Sequence, residues 1–166
     1  MLKGFITNLG KYNEGYLIGE WITFPVSEED LKEVLERIGI NEQYEEYFIT
    51  DYDNDYDIDF NFGEYTSIDH INEVIETIES LDYSDLELLK AVCEYEGSDA
   101  LYDFNPDSYI WYQGMTLEDV AMEYVEDCYG TKENEFLLRY FDYEAFTRDL
   151  SFEGYQESKY GVYVKC

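Results

Sequence analysis

Basic residues are scarce in this chain. Only 10 of its 166 residues are Lys or Arg, against 40 Asp and Glu, and the formal net charge is -30. Nucleic acids and anionic membranes are themselves polyanions, so a chain with this charge is not expected to bind either of them unaided. The sequence therefore predicts no direct nucleic-acid partner and no membrane partner.

The residue types that build common catalytic and metal sites are also few. His70 is the only histidine, and the three cysteines, Cys93, Cys128 and Cys166, contain no C-x-x-C pair. Neither a zinc site nor a histidine-based triad is expected from this inventory. A glycine-rich phosphate loop with its Lys-Ser/Thr pair does not occur either. We therefore expect no enzyme activity, no catalytic residues, no cofactor and no metal.

Long apolar runs are missing as well. No segment approaches the roughly 18 apolar residues that a membrane span requires, and residues 1–10 lack the pattern of a signal peptide. The odd number of cysteines is typical of a reducing compartment. These features predict a cytoplasmic protein. Cys93 and Cys128 fall on apolar helical faces, so we expect both thiols to be buried.

Acidic and apolar residues dominate what is present. The apolar fraction of 45% exceeds that of a disordered acidic tail. A small soluble domain needs a net charge of only about 2–8 for solubility, so the excess of acids indicates a function. A surface adapted to high salt is the alternative explanation. The acids are spread through patterned segments, which favours a folded acidic surface.

The hydrophobic patterning predicts an α+β fold. Strands are expected around Phe5 and from 16 to 24, with a turn at 13–15. Ser27, Ser67, Ser84 and Thr116 are expected helix N-caps, and Gly39, Gly97 and Gly130 expected helix ends. Further strands are predicted at 47–62, 109–112 and 161–164, a short helix at 98–104, and helical structure at 133–150 with a break near Asp142.

Three small units follow from this pattern. We predict an N-terminal sheet with one helix at 1–62, a central helical unit at 63–105, and a C-terminal α+β unit at 106–166. The break at Asn105-Pro106-Asp107 is the strongest internal boundary. The expected arrangement is an elongated chain of these three units. One compact α+β globule is the alternative.

The segment 51–61 has Asp or Asn at every odd position, while the even positions are mostly aromatic or aliphatic. This alternation is typical of a strand with one acidic face and one apolar face. A calcium loop starting at Asp53 is the alternative, with Glu64 at its twelfth position. The sixth position of such a loop requires Gly, and Ile58 stands there instead.

The acidic faces of this strand and of the predicted helices are the candidate functional surface. The residues proposed for it are Asp51, Asp53, Asp55, Asp57, Asp59, Glu64, Asp69, Glu73, Glu76, Glu79, Glu118, Asp119, Glu123 and Glu126.

Several blocks resemble the ArdA antirestriction family of mobile genetic elements. They are Tyr12-Asn13-Glu14-Gly15 with Gly19 and Trp21, the segment 46–52, Gly63-Glu64-Tyr65 before the helix at Ser67, the segment 118–121, and the segment 140–150. The blocks stand in the order found in the family and extend over most of the chain. The last block is the most specific of them.

This resemblance implies an elongated, dimeric, non-enzymatic DNA mimic in the cytoplasm of a bacterial host. It also implies that the dimer contact lies in the C-terminal part of the chain, 106–166. It implies inhibition of type I restriction–modification enzymes through the DNA groove of their specificity–methyltransferase core. Two other functions stay open from the residues alone. One is a general acidic binding module or chaperone for basic DNA-binding proteins, and the other is a hydrolase with an Asp/Glu pair.

Overall fold

The computed structural model describes residues 1–166 and divides into two units, Met1–Leu81 and Asp82–Cys166. Each unit contains one three-stranded antiparallel sheet together with helices. The predicted α+β fold class is therefore confirmed. No helix of either unit combines the length and the apolar character that a membrane crossing requires.

The first unit is built around a central strand flanked by two others. Its elements are β1 (Leu2–Asn8), α1 (Leu9–Asn13), β2 (Gly19–Phe24), α2 (Glu28–Arg37), β3 (Tyr47–Asn54) and α3 (Ile68–Ser80). The sheet order is β2-β1-β3, and both pairings are antiparallel. A register shift between Phe5 and Ile6 interrupts the β1–β3 pairing. Strand β2 begins at Gly19, three residues later than predicted, because α1 and the turn after it take up the connection.

The core of this unit lies on one face of the sheet. Leu2, Ile6 and Phe24 are completely or almost completely buried there. Gly19 is required by a close backbone approach, since a Cβ at this position would lie 2.5 Å from the carbonyl oxygen of Ile6. Asn8 is buried without an unsatisfied amide, because its Nδ2 donates to the carbonyls of Ile38 and Gly39 at 3.1 and 3.2 Å. These bonds attach the end of α2 to the sheet.

The predicted caps of α2 and α3 are confirmed. The Ser27 hydroxyl accepts from the backbone N–H of Asp30, and the Ser67 hydroxyl accepts from that of His70. Gly39 follows α2 with a φ of 81°, a conformation that favours glycine. The apolar side chains of α3 whose spacing places them on one face of the helix are buried. They are Ile68, Ile71, Val74, Ile75 and Ile78.

The prediction of a strand over 47–62 is wrong beyond Asn54. Strand β3 ends there, and Asp57 and Asn61 have φ values of 59° and 50°. Asp and Asn adopt this left-handed conformation more readily than most residues. The side chains of Asn54 and Asp59 accept hydrogen bonds from the backbone two residues ahead, which are local turns that compete with strand pairing. The alternation of polar and apolar residues therefore continues into a loop.

The second unit surrounds its sheet with helices. Its elements are α4 (Tyr83–Glu96), two 3₁₀ turns (Ser98–Tyr102 and Pro106–Ser108), β4 (Tyr109–Gln113), α5 (Leu117–Tyr129), α6 (Glu135–Leu138), α7 (Tyr143–Phe152), β5 (Gln156–Ser158) and β6 (Gly161–Lys165). The strand order is β4-β6-β5. Strand β5 was not predicted, whereas the break between α6 and α7 falls at Asp142 as expected.

Two clusters form the core of this unit. Leu117, Val120, Ala121, Leu150 and Val162 make up one cluster. Leu88, Ala91, Val92 and Tyr163 make up the other. Strand β6 contributes to both through Val162 and Tyr163, so it connects the packing of α4 with that of α5 and α7.

Two predictions about side chains in this unit are wrong. The N-cap of α4 is Asp82 and not Ser84, because the Asp82 carboxylate accepts from the backbone N–H of Asp85. Cys128 is exposed, and Cys93 is half-buried. Cys128 lies in the last turn of α5, next to Tyr129, where the helix face turns to solvent. Burial raises the pKa of the Cys93 thiol to about 11.

The boundary between the two units separates the two helices of the predicted central unit 63–105. Helix α3 packs with the first sheet, and α4 packs with the second. The division of the chain into three units at 1–62, 63–105 and 106–166 stays a prediction. The elongated arrangement of these units stays a prediction as well.

Candidate functional site

Strand β3 places two acids of the predicted set on the outer face of the first sheet. Asp53 lies opposite Lys3 and Asp51 lies opposite Phe5 in the β1–β3 register. Side chains alternate between the faces of a strand, so these residues share the face opposite Leu2 and Ile22. Both carboxylates are exposed. The Asp51 carboxylate also accepts from the backbone N–H of Tyr52 at 2.9 Å.

The other three aspartates of the predicted ladder lie in the loop that follows β3. Asp55, Asp57 and Asp59 are exposed, but the turn geometry of this loop does not continue the face of the strand. Asp55 forms an ion pair with the amino group of Met1. The hydrogen bond from this amino group lowers the Asp55 pKa. Part of the charge at Asp55 is therefore already balanced within the chain.

Helix α3 carries a line of exposed carboxylates opposite its buried face. Asp69, Glu73, Glu76 and Glu79 follow one another at intervals of four, three and three residues. Residues at this spacing share one side of a helix. The Glu79 carboxylate accepts from the hydroxyl of Tyr56 at 3.1 Å. Burial, together with this hydrogen bond, raises the pKa of Tyr56 to about 12, so the donor stays protonated at neutral pH.

Helix α5 repeats this spacing in the second unit. Asp119, Glu123 and Glu126 have the same intervals as Asp69, Glu73 and Glu76, and all are exposed, as is Glu118. Asp119 has an additional structural task. Its carboxylate accepts from the backbone N–H and the hydroxyl of Thr116, at 2.9 and 2.7 Å, in a capping box. These hydrogen bonds lower the Asp119 pKa.

The structure thus exposes every carboxylate of the predicted set, including Glu64, and no Asp or Glu belongs to the buried residues. Half of the 40 acids lie in each unit. Whether these particular acids contact a partner stays a prediction. Asp51 and Asp53 share one face of β3. The other acids of the set lie along α3, along α5, or in the loop between β3 and α3.

The arginines do not neutralise this set. Arg37 pairs with Glu20 and Glu33, Arg139 pairs with Glu135, and Arg148 lies 3.9 Å from Asp149. All of these acids lie outside the predicted set. The hydrogen bond from Arg37 lowers the Glu20 pKa. The three arginines are therefore placed where they leave the lines of acids on α3 and α5 charged.

A groove beside Asp51 and Glu64 was not predicted. Its apolar walls come from Phe5, Trp21 and Phe48, which lie far apart in the sequence, and its volume is about 460 Å³. Sheet pairing brings these residues together, so periodicity gave no signal for the groove. Trp21 is 45% exposed, an unusual position for a side chain of this size, and it belongs to a block that resembles the family.

The exposed apolar side chains on and beside α6 were also not predicted from the sequence. Phe136, Leu137 and Tyr140 are 65%, 64% and 78% exposed. Next to them, Tyr124, Leu138, Phe141 and Phe146 line a cavity of about 500 Å³. Phe136 and Tyr140 contact each other, with ring centroids 5.4 Å apart. Exposed apolar side chains grouped in this way form a candidate interaction surface.

Comparison with known families identifies the chain. Residues 5–164 match the model of the antirestriction protein (ArdA) family. A search of curated proteins gave no match. The family match includes all the blocks from Tyr12 to Leu150 and extends through β5 into β6. Since it covers nearly the whole length, the chain belongs to the ArdA antirestriction protein family.

Proposed function

We propose that this chain inhibits type I restriction–modification enzymes by DNA mimicry. In this mechanism the exposed carboxylates occupy the DNA groove of the specificity–methyltransferase core and exclude DNA by competition. Membership of the family makes the chain an antirestriction protein, and this family is a class of inhibitors of restriction enzymes and not a class of enzymes. The mode of action, the core as the target and the absence of catalysis are parts of the proposal.

The line of acids on α3 is the observation that carries the proposal. From Asp69 to Glu79 it places four exposed carboxylates on a helical segment whose two ends are ten residue steps apart. At a rise of 1.5 Å per residue this is about 15 Å, or about 5 Å per charge. One strand of duplex DNA carries a charge per about 3.4 Å of axis. A single helix face therefore reaches about two-thirds of the axial charge density of a DNA strand.

The dimer is also part of the proposal. Its contact is assigned to the C-terminal unit, in the apolar patch formed by Phe136, Leu137 and Tyr140. A second copy of the chain is the occupant that suits this patch, because most other surfaces of the protein are acidic and would repel one another. We place the function in the cytoplasm of a bacterial host, where restriction enzymes meet incoming DNA.

DNA competition against a purified type I methyltransferase tests the mechanism. We expect the protein to displace DNA competitively, with an affinity that falls as salt concentration rises. A variant with Asn in place of Asp51, Asp53, Asp55, Asp57 and Asp59 should inhibit more weakly, with the losses roughly cumulative. The salt dependence of its binding should also be flatter. Inhibition that does not change with DNA concentration would contradict competition.

A basic protein without a DNA cleft, such as a histone, separates mimicry from general acidic binding. A shape mimic should prefer the methyltransferase, whereas a general acidic chaperone should bind both alike. Equal affinity for the two proteins at 0.15 M salt would favour the chaperone.

A further inference from the structure

The groove on the outer face of the first sheet has three aromatic walls. Phe5 and Trp21 meet edge to face with ring centroids 5.4 Å apart, and Tyr12 meets Phe48 in the same way at 5.2 Å. Tyr65 stacks on Phe48 at 6.1 Å and is 71% exposed. The aromatic pairs hold one another in place, so the groove is formed before any partner binds.

Two carboxylates lie at the edge of these walls. Asp51 and Glu64 both line the groove, and neither forms an ion pair. The nearby Lys11 is engaged elsewhere, since its Nζ donates to Glu14 and to the hydroxyl of Tyr44 at 2.9 and 2.7 Å. Lys3 lies on the same sheet face opposite Asp53 but does not line the groove. No cation of the unit fills the groove.

We propose that this groove binds an arginine side chain of the protein partner. A guanidinium group is planar, stacks on aromatic faces and forms paired hydrogen bonds with carboxylates. The groove offers both kinds of contact, aromatic walls and carboxylates without an ion pair, within about 460 Å³. Charge complementarity selects the occupant, because a chain of net charge -30 attracts basic segments. A lysine ammonium would gain the charge contact but lacks the planar stacking surface.

This inference deepens the proposed function and rests on it for the identity of the partner. In the proposed function the carboxylate lines on α3 and α5 stand in for phosphates, and phosphate contacts position a DNA-binding protein but carry no sequence information. The arginine groove adds a contact that DNA phosphates do not have. The aromatic part of this contact does not depend on the number of carboxylates that the chain carries.

A peptide titration tests the groove without any restriction enzyme. The probes are three capped tripeptides, Gly-Arg-Gly, Gly-Lys-Gly and the citrulline analogue, which is nearly isosteric with arginine but neutral. We expect the arginine peptide to shift the Nε1–H signal of Trp21 and not that of Trp111 in a two-dimensional NMR spectrum. The citrulline peptide should leave both signals in place, and the lysine peptide should bind more weakly than arginine.

Two variants check the contacts in opposite ways. Trp21→Ala keeps the charge and removes a wall, whereas Asp51→Asn keeps the walls and removes a carboxylate. Trp21→Ala should weaken arginine-peptide binding by about two- to fivefold, the range of an exposed cation–π contact. Asp51→Asn should weaken it by up to about fivefold, the range of an exposed charge contact. Tyr83→Ala is the matched control, an exposed aromatic of the second unit that should leave peptide binding unchanged.

Several results would overturn the assignment. Equal shifts from the citrulline peptide, equal binding of lysine, or no shift at Trp21 would each refute an arginine site. A Trp21 signal that moves with protein concentration alone would make a second copy of this chain the occupant. In DNA competition against the methyltransferase, Trp21→Ala should inhibit less than Tyr83→Ala at an unchanged salt dependence. If wild type fails to compete with DNA while the peptide result holds, the mimicry proposal fails and the groove stands.

Discussion

Asp53, Asp55 and Asp119 belong to the same exposed set but have different tasks. The Asp53 carboxylate makes no ion pair, Asp55 is paired with the amino group of Met1, and Asp119 closes the capping box of α5. A loss of function after substitution therefore has a different meaning at each position. Only a residue such as Asp53 reports on the charge alone.

Asp53→Asn tests whether any single carboxylate is essential. A surface that acts through many charges should lose little, because exposed charge contacts are worth about 0.2–1 kcal/mol, or at most about fivefold in affinity. The measurement is inhibition of DNA binding by a type I methyltransferase, after circular dichroism has confirmed the fold. An enzyme would instead lose several kcal/mol with one catalytic carboxylate, so complete inactivation by this substitution would disprove the distributed surface.

Asp119→Ala should destabilise the protein in a pH-dependent way. The folded-state pKa of Asp119 is lowered, chiefly by the hydrogen bond from the Thr116 side chain, so its contribution is fully present above the unfolded pKa of about 3.9. That contribution is lost as the pH falls through the folded pKa. We expect the melting temperature of the variant to lie below that of wild type at pH 6, with a smaller difference at pH 3.

Glu118→Ala is the control for this measurement. It removes a neighbouring exposed acid of the same helix turn and leaves the capping box intact. Its melting temperature should stay close to that of wild type at both pH values. A pH-dependent loss in this variant equal to that of Asp119→Ala would show that the hydrogen bonds to Thr116 contribute nothing.

At the scale of elements, the helices are the part of the fold that the sequence predicts best. Ser27, Ser67 and Thr116 cap their helices as expected, because a cap is decided by residues within one turn of it. The alternation of polar and apolar residues, in contrast, does not show where β3 ends and the following loop begins, since Asn54 and Asp57 also favour turns. The aromatic groove depends on sheet pairing between β1, β2 and β3, which no local pattern encodes.

Two matched triple variants separate the effect of the line of acids on α3 from the effect of net charge on inhibition. The first variant replaces Glu73, Glu76 and Glu79 with Gln and removes three charges from the line. The second variant replaces Glu42, Glu45 and Glu46 with Gln and removes three exposed charges elsewhere in the same unit. We expect the first variant to weaken inhibition more than the second, because only the first lowers the charge density of a DNA-like row. The measurement is the concentration for half-maximal DNA displacement at fixed salt.

Equal losses in the two triple variants would mean that net charge alone governs binding. Both proteins need the same check of folding, since Glu79 accepts a hydrogen bond from Tyr56. A double variant that keeps Glu79 and replaces Glu73 and Glu76 avoids this contact and should still show the larger effect per charge removed.

At the scale of the whole molecule, repulsion among carboxylates opposes folding. With 40 acids against 10 bases, we expect the melting temperature to rise as sodium chloride is increased from about 0.01 to 0.2 M, because the screening length falls from about 30 to below 10 Å. Differential scanning calorimetry measures this directly. A melting temperature that does not change with salt would mean that bound cations already neutralise the surface.

The proposed dimer should depend on the apolar patch at α6. Replacing both Leu137 and Tyr140 with Ala removes two of its most exposed apolar side chains, so we expect the mass to fall from dimer to monomer in analytical ultracentrifugation at micromolar concentration. Phe152→Ala is the control, since this side chain is 81% exposed but lies at the end of α7. A variant that remains fully dimeric would place the contact elsewhere.

Strand β3 forms an edge of its sheet, as the order β2-β1-β3 shows. An open edge offers unpaired backbone groups to any other strand and is a starting point for aggregation. Asp51 and Asp53 project from this edge strand, and a copy approaching it would bring like charges together. The same carboxylates therefore oppose edge-to-edge association between copies of the chain. Neutralised variants of β3 should be assayed by light scattering first, because loss of monodispersity would imitate loss of inhibition.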